Sequence, residues 1–403
     1  MANDCEGVCI IDVSDRTNPV EVGSYDTGGR DYDIHIVGNY AYIADGRDGL
    51  QIVDMSDPLN PREVGCYDTE GLAVGVCVMG NYAYIADDAV GLQIVDVGDP
   101  SNPQGVGYYD TKGHAESVYI AENYAYVADG SDGLRIIDVS DPSDPQEAGY
   151  YDTEGYAYRV YVVGDCAYVA DRSDGLRIID VSNPSNPREL GYYDTEGYAY
   201  GVYVVENYAY IADGSDGLRI IDVSDPSDPQ EVGYYDTKGY AESIYIVENY
   251  AYMADGGDGL RIIDVSDPSN PREEGYYQTG DRAVNVYARE NYVYVADYRD
   301  GLYVVKNDLI SPYYIYVDLP EVHSSPGDTV ELDIEVELPA DLLFSSAEFS
   351  FNGYHGLMEF VRVDRSGTMI DTANWSVECN ETDSLLYLAF AGAKDITLSL
   401  IHI

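Results

Sequence analysis

Apolar residues along most of this chain fall into short runs of strand length, rich in Val, Ile and Tyr, and no run carries a helical 3.6-residue period. The stretch from Glu154 to Thr195 holds four such runs, around Tyr158 to Val163, Ala167 to Asp171, Leu176 to Val181 and Glu189 to Tyr193. Turn residues separate them: Gly-Asp, then Asp-Arg-Ser-Asp-Gly, then Ser-Asn-Pro-Ser-Asn-Pro, each supplying positive φ or a preset φ for a reversal. The pattern predicts strands A, B, C and D of one antiparallel sheet. It recurs every 42 residues without insertion or deletion, so that Asp12, Asp54, Asp96, Asp138, Asp180, Asp222 and Asp264 are copies of one aspartate. Four short strands per repeat predict an all-β fold, a β-propeller of four-stranded blades.

The apolar positions agree with blades packed face to face. Leu134, Ile136, Ile137 and Val139 are apolar at successive positions, as a sheet covered on both faces requires. Ala125 and Ala128 let neighbouring sheets approach, while Tyr124 and Tyr126 are expected in the wider outer part. A lone unit cannot bury these faces, so the unit must repeat. Six whole units run from Gly28 to Thr279. Strands C and D of another unit precede them, and Gly280 to Val305 supply A, B and a further C. Joining the ends predicts a seventh blade closed by strands from both termini, with one of the two C copies, Val8 to Val13 or Leu302 to Val305, left surplus or belonging to a larger ring.

The strands written Leu50-Gln-Ile-Val-Asp54 and Leu92-Gln-Ile-Val-Asp96, and Leu-Arg-Ile-Ile-Asp in later units, resemble the LVIVD family. That resemblance implies a propeller of a bacterial or archaeal surface protein with no assigned reaction, and it brings no catalytic residues. The repeat domain is expected to span residues 1–308. After Ser311-Pro312 the period stops, tyrosine thins and phenylalanine appears. Ser325 to Leu332, Ser346 to Phe351, Gly356 to Val363 and Leu388 to Gly392 resemble a cohesin domain, with Tyr354-His355-Gly356 where that family carries Tyr-Asp-Pro. This resemblance implies a partial β-sandwich of jelly-roll type over residues 309–397, and a dockerin-type module as partner; an unrelated surface sandwich remains the alternative. Residues 398–403 read as a sequencing-library artefact, and Met1, six periods before the core position Met253, reads as an internal residue of a longer protein whose signal peptide is lost.

Charge narrows the partners. A formal net charge of −53 on 403 residues opposes binding to nucleic acid or anionic lipid, and no membrane insertion is expected within the fragment. Cys66, Cys77 and Cys166 stand at repeat positions held elsewhere by other residues, so the six cysteines form no disulfide framework, and a Cys5–Cys9 bridge would have to form along one strand. Asn374-Trp-Ser376 and Asn380-Glu-Thr382 fit glycosylation acceptors, consistent with an extracellular or cell-surface location. The recurrent Asp129-Gly-Ser-Asp-Gly133 raises calcium, but its acids fall at positions one and four, where an EF-type loop uses one, three and five. A turn with locally bonded carboxylates is the preferred reading, and no metal ligand is assigned.

The B–C and D–A connections emerge on one face of the disc, and there the repeat varies. One position entering strand A holds Arg30, Leu72, His114, Tyr156, Tyr198, Tyr240 and Arg282. Two residues on stand Tyr32, Val74, Glu116, Tyr158, Tyr200, Glu242 and Val284, followed by Asp33, Gly75, Ser117, Arg159, Gly201, Ser243 and Asn285. Variation at fixed positions around a channel mouth suits a ligand site on a rigid scaffold, although exposed positions also drift for lack of constraint. The candidate set is Arg30, Tyr32, Asp33, His114, Glu116, Tyr156, Tyr158, Arg159, Tyr198, Tyr200, Tyr240, Glu242, Arg282 and Asn285. Clustered tyrosines favour a glycan or surface protein as ligand. The expectation is therefore a non-enzymatic adhesion or binding module, without cofactor. The alternatives are a polysaccharide hydrolase or lyase using Glu116 and Glu242, and a purely structural surface-layer spacer.

Overall fold

The computed structural model describes residue 25 and residues 27–57, 60–289 and 292–298 in full, and residues 10–13, 20–23, 301–307, 330–336, 346–351, 358–364 and 396–401 as backbone strands. The chain divides into two compact units, residues 1–310 and 311–403. In the second, Val330–Val336 pairs with Ile396–Ile401 and Ser346–Phe351 with Met358–Asp364. Apart from these strands, the expected cohesin-like sandwich, Asn374, Asn380 and the rest of segment 398–403 lie outside the described residues, as do Cys5 and Cys9.

In the first unit the repeat folds as its pattern predicts. The unit read above forms strands Arg159–Val163, Cys166–Ala170, Leu176–Asp180 and Arg188–Tyr193, paired in sequence as one antiparallel sheet. Period-2 alternation sends Leu134 and Ile136 toward the following blade, where they meet Val160, Val162 and Val169. Ile137 and Val139 face the preceding blade, against Leu92 and Ile94. Tyr126 is not outside: it is buried in the interface between blades.

Where the repeat count predicts seven four-stranded blades, six are formed. The remaining sector of the ring holds a five-stranded sheet, ordered from the inner strand outward as Ala283–Arg289, Tyr292–Asp297, Gly301–Asn307, Ile10–Val13 and Val20–Gly23. Neither copy of strand C is surplus. Gly301–Asn307 pairs antiparallel with Tyr292–Asp297, and Ile10–Val13 adds to its other edge in parallel, so the edge of each finds backbone partners. This sheet packs on the last blade through Val286 and Val295, and on the first through Val284 and Tyr294, which closes the ring.

The first five blades also dock on the next through the outer strand. Strand Gln146–Tyr151 bulges opposite Ile136 and Ile137, and at the bulge a Cβ on Gly149 would stand 2.3 Å from the Pro184 carbonyl of the next blade. Gly149→Ala is expected to lower stability by about 1–3 kcal/mol through this backbone clash, read as a lower midpoint in urea unfolding.

Candidate functional site

From the second blade to the closing sheet, the D–A loops and B–C turns that frame the channel mouth are held by one buried carboxylate each. Asp129 follows strand B, and Thr111, which opens the loop into the same blade, donates to it at 2.6 Å. The pair recurs as Thr69–Asp87, Thr153–Asp171, Thr195–Asp213, Thr237–Asp255 and Thr279–Asp297. Arg135 adds a guanidinium bridging Asp129, Asp132 and Glu147. The acids of the Asp-Gly-Ser-Asp-Gly turn are thus tied to a threonine and an arginine rather than to local amides. Among the described residues no group of three or more His, Cys, Asp or Glu converges as a metal site. Local amides do satisfy Asp138, to which Ser140 N–H donates at 2.9 Å.

On this frame the variable positions come together. Tyr32, Val74, Glu116, Tyr158, Glu242 and Val284, six members of one repeat position, line a single cavity of about 140 Å³ with Arg159, Arg282 and Tyr298. Tyr200, the seventh, packs edge-on against Tyr158 with ring centroids 5.1 Å apart. Above them Tyr198 and Tyr240 are 52% and 36% exposed, and both contact the Tyr200 ring, with Tyr240 donating to the Tyr200 hydroxyl at 2.7 Å. Tyr158, Tyr198, Tyr200 and Tyr240 therefore form a stepped aromatic shelf, with Tyr158 deepest, and Tyr156 joins it through Arg172, which lies over Tyr156, Tyr158 and Tyr200. Burial pushes the Tyr158 phenol up to about 12.

The charged members are internally matched. Arg159 reaches from the fourth blade to Asp33 of the first at 3.4 Å, and Asp33 also accepts the Val76 N–H at 2.9 Å. Burial raises the Asp33 carboxyl, and Arg159 pulls it back. Arg282 grips Glu242 through Nε and Nη2, at 2.5 and 2.8 Å. Glu116 accepts the Tyr156 hydroxyl. Both glutamates are raised above the ordinary range, chiefly by burial. His114 lies on the rim against Asp88 at 2.6 Å, which raises its imidazole. Arg30 stacks on Tyr298 and donates to its hydroxyl. Asn285 is buried in the inner strand Ala283–Arg289 and does not line the cavity.

Beneath the cavity another repeat position, His35, Cys77, Tyr119, Tyr161, Tyr203, Tyr245 and Tyr287, circles the channel. Its tyrosines contact one another from blade to blade with centroids 4.6–4.9 Å apart, and His35 joins at 5.6 Å from Tyr287. Burial lowers His35 to about 4 and pushes the Cys77 thiol up to about 12, so both are neutral at physiological pH.

LVIVD repeats match residues 2–27, 28–69, 70–111, 112–153, 154–195, 196–237, 238–279 and 280–306. The chain belongs to the LVIVD repeat family. No curated protein matches this LVIVD chain. Among solved structures it is similar to the computationally designed Ika8 protein (TM-score 0.57, 8% identity, covering 75% of this chain and 96% of that one). It is also similar to the Cps50 (Swd1) β-propeller domain of Myceliophteria thermophila (0.57, 10%, 69% and 96%), and to a chain of a mitotic checkpoint complex (0.57, 12%, 70% and 89%). At these identities the likeness concerns the fold.

Within the LVIVD repeat, one position in the B–C turn escaped the sequence reading. It holds Gly46, Gly130, Gly214 and Gly256, but Asp88, Arg172 and Tyr298 in the other units. The glycines take φ near +56°, and Asp88 and Arg172 both take +45°, a region that side chains disfavour. Each of the three exceptions reaches a variable residue of the mouth: Asp88 meets His114, Tyr298 meets Arg30 and Tyr32, and Arg172 lies over Tyr156, Tyr158 and Tyr200. The signal was present as a departure from glycine inside an otherwise constant turn.

Proposed function

We propose that this LVIVD-repeat propeller is a secreted or cell-surface binding module without catalytic activity, which presents the channel mouth to a glycan on another cell or surface. The observation that carries the reading is the shelf of four tyrosines on three consecutive blades, open at Tyr198 and Tyr240 and closed below by Tyr158. Phenol rings offer flat apolar area to a sugar face and hydroxyls to its polar edge, with few rotors to immobilise. The rigid ring beneath limits the ordering cost of binding. A surface protein is the other ligand class the shelf would accept, and the second domain would then serve extracellular assembly, through a dockerin-type partner if it is cohesin-like.

A glycan array probed with the intact chain tests this. Tyr198→Ala/Tyr240→Ala should weaken the leading signals about tenfold or more, because the open half of the shelf is lost. Signals unchanged in that variant would refute the reading.

One observation favours a second reading, in which the chain is a polysaccharide hydrolase or lyase: Glu116 and Glu242 line the same cavity, both raised by burial. Against it, Arg282 holds Glu242 through two nitrogens and Tyr156 occupies Glu116. Reducing-sugar release that disappears in Glu116→Gln would establish it.

A further inference from the structure

Arg172 stands apart from the other half-buried arginines. Arg135, Arg177, Arg219 and Arg261 each bridge three acids, Arg159 pairs with Asp33 and Arg289 donates to the Gly38 carbonyl. Arg172 forms no ion pair among the described residues; its Nε is buried without a hydrogen-bond partner, as are those of Arg177 and Arg219, whose Nη atoms nonetheless hold two acids each. In a chain with 74 acidic and 21 basic residues, a half-buried guanidinium that forms no ion pair is a departure from the pattern of Arg135, Arg177, Arg219 and Arg261. Arg172 lies close enough to Glu116 to lower its carboxyl by charge, without an ion pair between them, and Glu116 accepts the Tyr156 hydroxyl.

The side chain is also held in place. Its guanidinium carbon lies 4.0 Å from the ring centroid of Tyr156, 4.7 Å from that of Tyr158 and 5.7 Å from that of Tyr200. Stacking on aromatic faces immobilises the planar fork and leaves its N–H edge for another partner. The backbone at this residue sits at φ +45°, where four other units use glycine, so the arginine is carried at a conformational cost. Arg172 does not itself line the cavity, but it lies over the ring of Tyr158, which does, together with Arg159, whose Nε too is buried without a hydrogen-bond partner.

We propose that Arg172 receives an oxyanion of the ligand, and that the glycan is a sugar acid whose carboxylate docks on this guanidinium while its ring lies on the tyrosine shelf. The inference rests on the glycan reading above and adds the chemical class. A charge-assisted pair to a preorganised fork is strong and directional, and it distinguishes an acidic sugar from its neutral counterpart.

The test is a titration by ligand-observed NMR with D-glucuronate, D-glucose and D-glucose 6-phosphate, using the intact chain, Arg172→Gly, Arg172→Lys and Tyr198→Ala/Tyr240→Ala. Glucuronate is expected to bind about tenfold or more tighter than glucose, as a hydrogen bond to a charged group implies. Arg172→Gly installs the residue common at this turn, so the variant should fold with an unchanged or higher melting temperature and bind both sugars alike. Arg172→Lys should keep part of the preference. Glucose 6-phosphate binding tighter than glucuronate would assign the oxyanion to a phosphorylated sugar and overturn the carboxylate. Equal binding of glucose and glucuronate by the unaltered chain, or an undiminished preference in Arg172→Gly, overturns the role of Arg172. If those sugars still require Tyr198 and Tyr240, the glycan reading survives that failure; if no sugar binds, both fall.

Discussion

The melting temperature of the propeller is expected to rise as pH falls from 8 to 5. The buried carboxylates that follow strand B in the six blades are raised by burial, Asp45 and Asp171 to about 7, and Asp87, Asp129, Asp213 and Asp255 to about 6. In the unfolded chain the same groups titrate near 3.9. Between about pH 4 and 7 the folded state therefore holds more protons than the unfolded one, and stability falls as pH rises through this window. The formal charge of −53 acts in the same direction, because protonation relieves self-repulsion. Below about pH 4 the sign reverses. Asp54, Asp138, Asp180, Asp222 and Asp264 are lowered by the hydrogen bonds of the following serines, and their contribution is lost on protonation. Calorimetry across pH 3–8 should show a maximum between about pH 4 and 5, several degrees above the value at pH 8, since about 2–4 °C follows from each kcal/mol in a large domain. A melting temperature that climbs steadily from pH 4 to 8 would contradict the assignment of these aspartates.

Removing Arg159 should cost more than removing any exposed charge. The guanidinium crosses the channel to Asp33, which is 7% exposed and otherwise bonded to the Val76 amide. Arg159→Ala leaves that carboxylate buried without its counter-charge, an arrangement that typically costs about 3–5 kcal/mol. Because Asp33 is already raised by burial, the variant can escape part of the penalty by protonation, so the loss should be smaller at pH 5 than at pH 8. Asp33→Asn/Arg159→Met should recover much of the stability, because no unpaired charge then remains. Urea unfolding of the two single variants and the double at both pH values checks all three statements. A loss that is the same at both pH values would mean that Asp33 is not the group left exposed to the deficit.

The repeat made the blade legible because a sheet covered on both faces leaves a direct record: Leu134, Ile136, Ile137 and Val139 are apolar in succession and each half faces a different neighbour. Closure was harder to read. Sequence spacing shows that strand C occurs twice, but it cannot show that two parallel copies share one sheet, since backbone pairing carries no side-chain signature. The channel mouth was partly legible, because residues such as Glu116 and Glu242 vary where the rest of the unit is constant. Depth was not: Asn285 and Tyr158 belong to the same variable stretch, yet one is buried in its strand and the other lies at the bottom of the shelf. Arg172 was hidden by the opposite error, in which Asp171-Arg-Ser-Asp-Gly175 reads as one more turn until its φ and its three aromatic neighbours are known.

The decisive measurement compares the two faces of the disc. Retention on an immobilised glycan selected by the array should be followed for the unaltered chain, for Tyr198→Ala/Tyr240→Ala, and for Ser143→Ala/Ser185→Ala in the turns of the opposite face. The account predicts that retention is lost in the tyrosine variant and unchanged in the serine variant, with both folded. Retention that survives loss of the tyrosines, or that vanishes with the serines, would contradict it.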